Sequence, residues 1–141
     1  MTRTFFTDRD LGKQFPHILR DAGLKVERHG DHFAHDAPDA EWLAAVGERQ
    51  WVVITHDWRI RYKPNELRAV VYNNVSMLVI IGQAPFRDLA VSFVATLPRI
   101  EAFLSCRSAP FIAKVYRASP KELRSGGLPS GRIEAWYPLA D

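Results

Sequence analysis

Short apolar runs alternate with stretches of helical periodicity along most of this chain, the rhythm expected of strands and helices laid down in turn. Thr4–Thr7 reads as a first strand. Leu11, Phe15, Ile18, Leu19 and Ala22 recur at helical spacing, so an amphipathic helix is predicted over 11–22, ended by Gly23. Leu24–Glu27 is a weaker second strand, and 28–37 is a polar loop. Pro38 then opens a helix whose first turn carries Asp39 and Glu41 at the positive dipole end, with Trp42, Leu43 and Val46 as its buried face. Trp51–Ile54 is continuously apolar before Thr55, the mark of a strand buried on both faces. Lys63-Pro64-Asn65-Glu66 starts a helix that runs to about Tyr72, Asn73-Asn74 makes a turn, and Met77–Ile81 is a second buried strand. Phe86–Leu104 is the longest helix, in which Pro98 is expected to form a bend or break. Phe111–Tyr116 is expected to close the sheet as its edge strand. The alternation predicts a three-layer α/β domain with a mostly parallel sheet of about five strands.

The character of the chain changes after Arg117. Ser119-Pro120, Gly126-Gly127, Pro129 and Gly131 are turn and linker signals, so the chain divides into a domain over 1–117 and a flexible tail or docking extension over 118–141. Within that extension, Ile133–Tyr137 has the makings of a short strand or of a segment that docks on a partner.

Composition narrows the function classes. A hydrophobic content of 47% and a charged content of 25% in 141 residues describe one globular domain with a core of normal size. No apolar run reads as a membrane span, and Met1–Phe6 has no signal-peptide pattern. Cys106 is the single cysteine, so an intrachain disulfide is excluded. Together these set the expectation of a cytoplasmic protein with no membrane partner. The net charge of +3 permits a polyanionic partner without requiring one.

The acids are the most informative residues. Asp8 and Asp57 each follow an apolar run almost at once, and Asp39 and Glu41 enter from a helix N-terminus. In an open α/β sheet the carboxyl ends of the strands form the ligand crevice. Carboxylates gathered there repel one another unless a cation lies between them, and a hard divalent ion, Mg²⁺ or Mn²⁺, takes oxygen ligands of this kind. Asp8 and Asp57 are the expected ligands, with Asp39 or Glu41 completing the set. Thr55 is placed to orient a ligand or water, and Asp10 either supports the site or caps the following helix. Arg59, Arg61 and Lys63 follow Asp57 and are suited to holding phosphates beside the scissile one, although a solvated basic loop has the same composition. His29, His32 and His35 recur at intervals of three, but Gly30 interrupts any shared helical face, and a polar loop accounts for them better than zinc does.

Three segments, Phe5–Gly12, His32–Leu43 and Val52–Ile60, together resemble a PIN-like domain, in the branch described as VapC45-like and related to the toxins of toxin–antitoxin pairs. The resemblance spans about residues 4–117. It implies a metal-dependent endoribonuclease in which Asp8, Asp39 or Glu41, and Asp57 form the acidic set around Mg²⁺ or Mn²⁺. It also implies an RNA substrate and an antitoxin from an adjacent gene, and it leaves room for a homodimer.

Two readings from other classes compete. Acids after the first strand and Asp57 after the third mimic a receiver-like phosphoacceptor domain, but the Thr or Ser and the Lys-Pro such a domain needs are replaced by Gly82-Gln83-Ala84 and Tyr116-Arg117. A non-catalytic PIN-like binding module fits if the acids serve structure alone.

Overall fold

Alternation within the first strand sets up the layers. The computed structural model describes residues 3–118 and 131–138, without the side chain of Arg61. In β1 (Thr4–Thr7), Phe5 and Phe6 point to opposite faces and are both fully buried. Phe5 packs into a core shared with α1 (Gln14–Asp21) and α4 (Phe86–Cys106). Phe6 packs into a second core against α2 (Asp39–Arg49) and α3 (Pro64–Tyr72). The remaining strands are β2 (Lys25–Arg28), β3 (Val52–Thr55), β4 (Ser76–Ile81), β5 (Phe111–Tyr116) and β6 (Arg132–Tyr137). Their order across the sheet is β2-β1-β3-β4-β5-β6. All neighbours are parallel except β5 and β6, which are antiparallel.

The predicted three-layer α/β architecture is therefore present, with six strands rather than about five. The additional strand lies in the segment expected to be a tail or docking extension, and it displaces β5 from the edge. Two polar contacts hold its entry. Buried Thr96 in α4 donates its hydroxyl proton to the Ser92 carbonyl (2.7 Å) and accepts from the Gly131 amide (2.8 Å). Arg99 donates to the Gly131 carbonyl (2.6 Å). Gly131 itself lies so close to the Tyr116 carbonyl that a Cβ there would overlap it. The rest of the expected linker, residues 119–130, lies outside the described residues.

Two helix expectations are corrected. The first helix begins at Gln14 rather than at residue 11, because Arg9–Leu11 forms a 3₁₀ turn that Gly12 ends at a φ of 67°. Pro98 does not break α4, which runs unbroken for 21 residues. Packing compensates for the missing amide, since Phe93 and Ile100 on either side of the proline are buried in one core. By length and composition alone α4 is long and apolar enough to cross a membrane, although Arg87, Asp88, Arg99 and Glu101 keep it from being a continuous apolar run. Its Leu89, Ala90, Phe93, Ile100 and Leu104 are nevertheless buried against the sheet and α1.

The strand order reverses direction beside β1. The chain leaves β1 for β2 on one side and later returns to β3 on the other, which opens a crevice at the carboxyl ends of β1 and β3.

Replacing Thr96 by Val keeps the shape but leaves the buried Gly131 amide without its acceptor. The expected cost is about 1–3 kcal/mol of stability. Denaturant unfolding measures it, and amide exchange in Arg132–Tyr137 should accelerate more than exchange in β1 or β3.

Candidate metal centre

The crevice gathers two carboxylates around one hydroxyl. Asp8 follows β1, and its amide donates to the Ile54 carbonyl (3.0 Å), extending the β1–β3 pairing by one residue. That register sets Asp8 beside Thr55. The buried Thr55 hydroxyl lies 3.0 Å from Asp8 Oδ2 and 3.1 Å from Asp10 Oδ2. One hydroxyl has one proton, so the two carboxylates share a single donor. The same oxygen accepts from the Asp57 amide (3.2 Å). Asp8 Oδ1 accepts from the Arg9 amide (2.7 Å) and so caps the 3₁₀ turn. Asp10, considered as a cap from sequence, instead reaches across to β3, where it also accepts from the His56 amide (3.1 Å).

Electrostatics follow from this crowding. Burial first, and the charge of Asp10 second, push the Asp8 carboxyl up to about 6 despite its hydrogen bonds. Asp10 is also raised, again mainly by burial, with the His56 and Thr55 hydrogen bonds opposing. No basic side chain pairs with either acid among the described residues.

Asp57 enters the same crevice but has different company. Its carboxylate caps the 3₁₀ turn Trp58–Tyr62, accepting from the Arg59 amide (3.1 Å), and it pairs with Arg59 Nε (3.2 Å) and Lys63 Nζ (3.1 Å). Burial pushes its pKa upward, but the Lys63 and Arg59 hydrogen bonds outweigh that and hold it below the usual carboxylate value. Arg59 and Lys63, expected to grip RNA, are thus engaged with Asp57, while the Arg61 side chain lies outside the described residues. Asp39 is likewise engaged, by Arg9 (3.1 Å) and by the Trp42 indole N–H (3.0 Å). Glu41 is exposed on α2. His56 donates from Nε2 to the Gly82 carbonyl (2.9 Å), tying the ends of β3 and β4 together. A cavity of about 620 Å³ opens between those strand ends, lined by Asp10, His56, Asp57 and Trp58 among others.

Among the described residues no three His, Cys, Asp or Glu side chains converge as a ready-made metal cage. This applies to His29, His32 and His35 as well. Mg²⁺ and Mn²⁺ do not need such a cage, because they keep several waters and take one or two carboxylates. The Asp8–Asp10 pair fits that description. It offers hard oxygen donors that form no ion pair with a basic side chain among the described residues, at the crevice where the strand order reverses. The charge of Arg9 lowers the Asp8 carboxyl only as the smallest of the influences on it. Asp10 was the underrated residue in the sequence. The Asp8-x-Asp10 spacing across a tight turn was the available signal, and the cap interpretation masked it. Arg9, which donates to His29 (2.9 Å) and pairs with Asp39, was missed altogether.

Comparison with known proteins supplies the family context. Residues 3–82 match the family model described as PIN like domain. A protein of Mycobacterium tuberculosis (strain ATCC 25618 / H37Rv) named "Putative ribonuclease VapC45" is 31% identical over 118 residues, which covers 79% of this chain and 84% of that protein. No solved structure gives a significant match.

The Asp8 carboxyl binds its proton more tightly in the folded chain than at its ordinary value of 3.8. Between the two values the folded state holds more protons than the unfolded state. Stability therefore falls as pH rises from about 4 through 6, and the full cost above that window is about 3 kcal/mol. Asp8→Asn removes the cost while keeping the cap. Its thermal midpoint in chelator should exceed that of the wild type by several degrees near neutral pH, and the difference should vanish below about pH 4.

Proposed function

The chain belongs to the PIN-like domain family, and from that premise we propose that it is a Mg²⁺- or Mn²⁺-dependent endoribonuclease acting as the toxin of a toxin–antitoxin pair. The observation that carries this reading is the Asp8–Asp10 pair, held by Thr55 at the crevice and in no ion pair with a basic side chain among the described residues. The name of the Mycobacterium tuberculosis relative supports RNA as the substrate. In this reading Asp8 and Asp10 hold the ion, and Thr55 with the His56 amide fixes the direction of their carboxylates. A bound divalent ion would supply an activated water and neutralise charge on the phosphate. Asp57 and Asp39 border the site, and each can turn toward it when Lys63 and Arg59, or Arg9, release it. Arg59, Arg61 and Lys63 then become available to the RNA backbone, and Glu41 stands at the rim. An antitoxin arginine would satisfy the acid pair in place of the ion. The RNA, the antitoxin, a second copy of the chain and a cytoplasmic location are the partners and setting this reading proposes.

One observation favours a second reading, a non-catalytic binding module. The flanking acids Asp39 and Asp57 are already paired with bases.

Cleavage of single-stranded RNA with Mg²⁺ or Mn²⁺ tests the proposal. Asp8→Asn and Asp10→Asn are each expected to reduce the rate at least about 100-fold, with the fold retained by circular dichroism. Asp57→Asn should lose less, because its carboxylate is already neutralised by Lys63 and Arg59. A wild-type protein that binds neither ion by calorimetry would establish the module instead.

A further inference from the structure

On the other side of Asp8 from the β3–β4 cavity lies a second cavity, of about 310 Å³, at the carboxyl ends of β1 and β2. Its walls include Thr7, Arg9, Lys13, Arg28, His29 and His35. Three buried side-chain atoms of these residues have no hydrogen-bond partner: Thr7 Oγ1, Arg28 Nε and His29 Nδ1. Thr7 and His29 are each only 1% exposed.

The tautomer of His29 follows from its neighbour. Arg9 lies 2.9 Å from His29 Nε2 and can only donate, so Nε2 accepts and the ring proton resides on Nδ1. Contacts with Phe6, Phe33 and Trp42 hold the imidazole in place. The cavity residues thus hold two orphan N–H donors and an orphan hydroxyl, and burying such groups unpaired costs free energy. Lys13 is exposed and has no ion-pair partner among the described residues. Asp8 is the one acid in the lining, and its two oxygens are turned to the Arg9 amide and to Thr55.

We propose that this cavity binds a phosphate group of the RNA strand, one next to the phosphate held at Asp8 and Asp10. Thr7, Arg28 and His29 would supply hydrogen bonds and Lys13 the charge. A phosphodiester fits better than a carboxylate, because its several acceptor oxygens match three separated donors. Arg9 is paired with Asp39 and Arg28 lies 3.6 Å from Asp31, so among the described residues Lys13 is the lining lysine or arginine without an ion-pair partner. The two cavities flank Asp8 and Asp10, so a strand lying in both would present the bond between them to the acid pair. This inference rests on the ribonuclease reading and adds a subsite to it.

Binding of a short, fluorescent, mixed-sequence single-stranded RNA, measured in EDTA at several salt concentrations, tests the subsite without cleavage. Thr7→Val removes a hydroxyl that makes no bond within the fold. It should weaken binding about tenfold without lowering the thermal midpoint. Lys13→Gln should weaken binding severalfold and lower the slope of log affinity against log salt by about 0.7. Lys25→Gln makes the same change of charge at the opposite, amino-terminal end of β2 and should stay near wild type. Wild-type binding by both Thr7→Val and Lys13→Gln would overturn the subsite while leaving a protein that cuts RNA a ribonuclease. So would an equal loss in Lys25→Gln.

A second arm does not depend on RNA. Titration with inorganic pyrophosphate should shift the ¹⁵N resonance of His29 Nδ1 in the wild type and less in Lys13→Gln. If RNA is neither bound nor cut and pyrophosphate still shifts His29, the ribonuclease reading and the RNA assignment both fall, and an anion pocket remains. If pyrophosphate leaves His29 unmoved, the pocket itself is refuted.

Discussion

The parallel register between β1 and β3 is the constraint on which the rest of the structure depends. Thr7 opposite Ile54, extended by the Asp8 amide on the Ile54 carbonyl, sets Asp8 beside Thr55. A slip of one residue would exchange Phe5 and Phe6 between the two cores and carry Asp8 away from its hydroxyl partner. The register is strongly specified because both faces are occupied. Burying a phenylalanine is worth about 1.5–3 kcal/mol, and here each face receives one. The cores therefore hold the carboxylates in place against their own repulsion.

That repulsion separates the acids into two kinds. Asp8 and Asp10 crowd one hydroxyl and form no ion pair with a basic side chain among the described residues, and burial raises both. Asp39 and Asp57 lie to either side, each with at least one cation. The paired acids organise the walls. Asp57 fixes the turn after β3, while Asp39, through Arg9, anchors the N-terminus of α2 to the turn after β1. The unbalanced pair is left with electrostatic potential that a cation can relieve. Stability given up at Asp8 is in this sense the counterpart of affinity for a ligand.

The flanking cavities follow from the same topology. Because β1 is the strand where the chain changes direction, its carboxyl end borders β2 on one side and β3 on the other. Arg9 belongs to both environments, since its amide donates to the capping Asp8 carboxylate and its guanidinium fixes the His29 tautomer. The hydrogen bonding of the acid pair and that of the neighbouring cavity are thus linked through one residue.

Apolar runs were enough to identify β1, β4 and β5, since they report burial directly, and the Pro64 start with the Asn73-Asn74 turn bounded α3. The layer architecture followed from their alternation, and Asp8 stood out because it ends a buried strand. The choice of partner for Asp8 lay beyond the sequence. Asp10 and Asp57 are both near in the chain order of the crevice, and only the path of the turn after β1 brings Asp10 to Thr55 while Lys63 and Arg59 draw Asp57 away. The buried state of His29, in a segment that reads as a polar loop, was hidden for the same reason: its ring is enclosed by Phe6, Phe33 and Trp42. Local periodicity records which residues leave water, but the balance of charge in a crevice depends on side chains that the chain brings together from distant positions, and only the folded arrangement decides which of them meet.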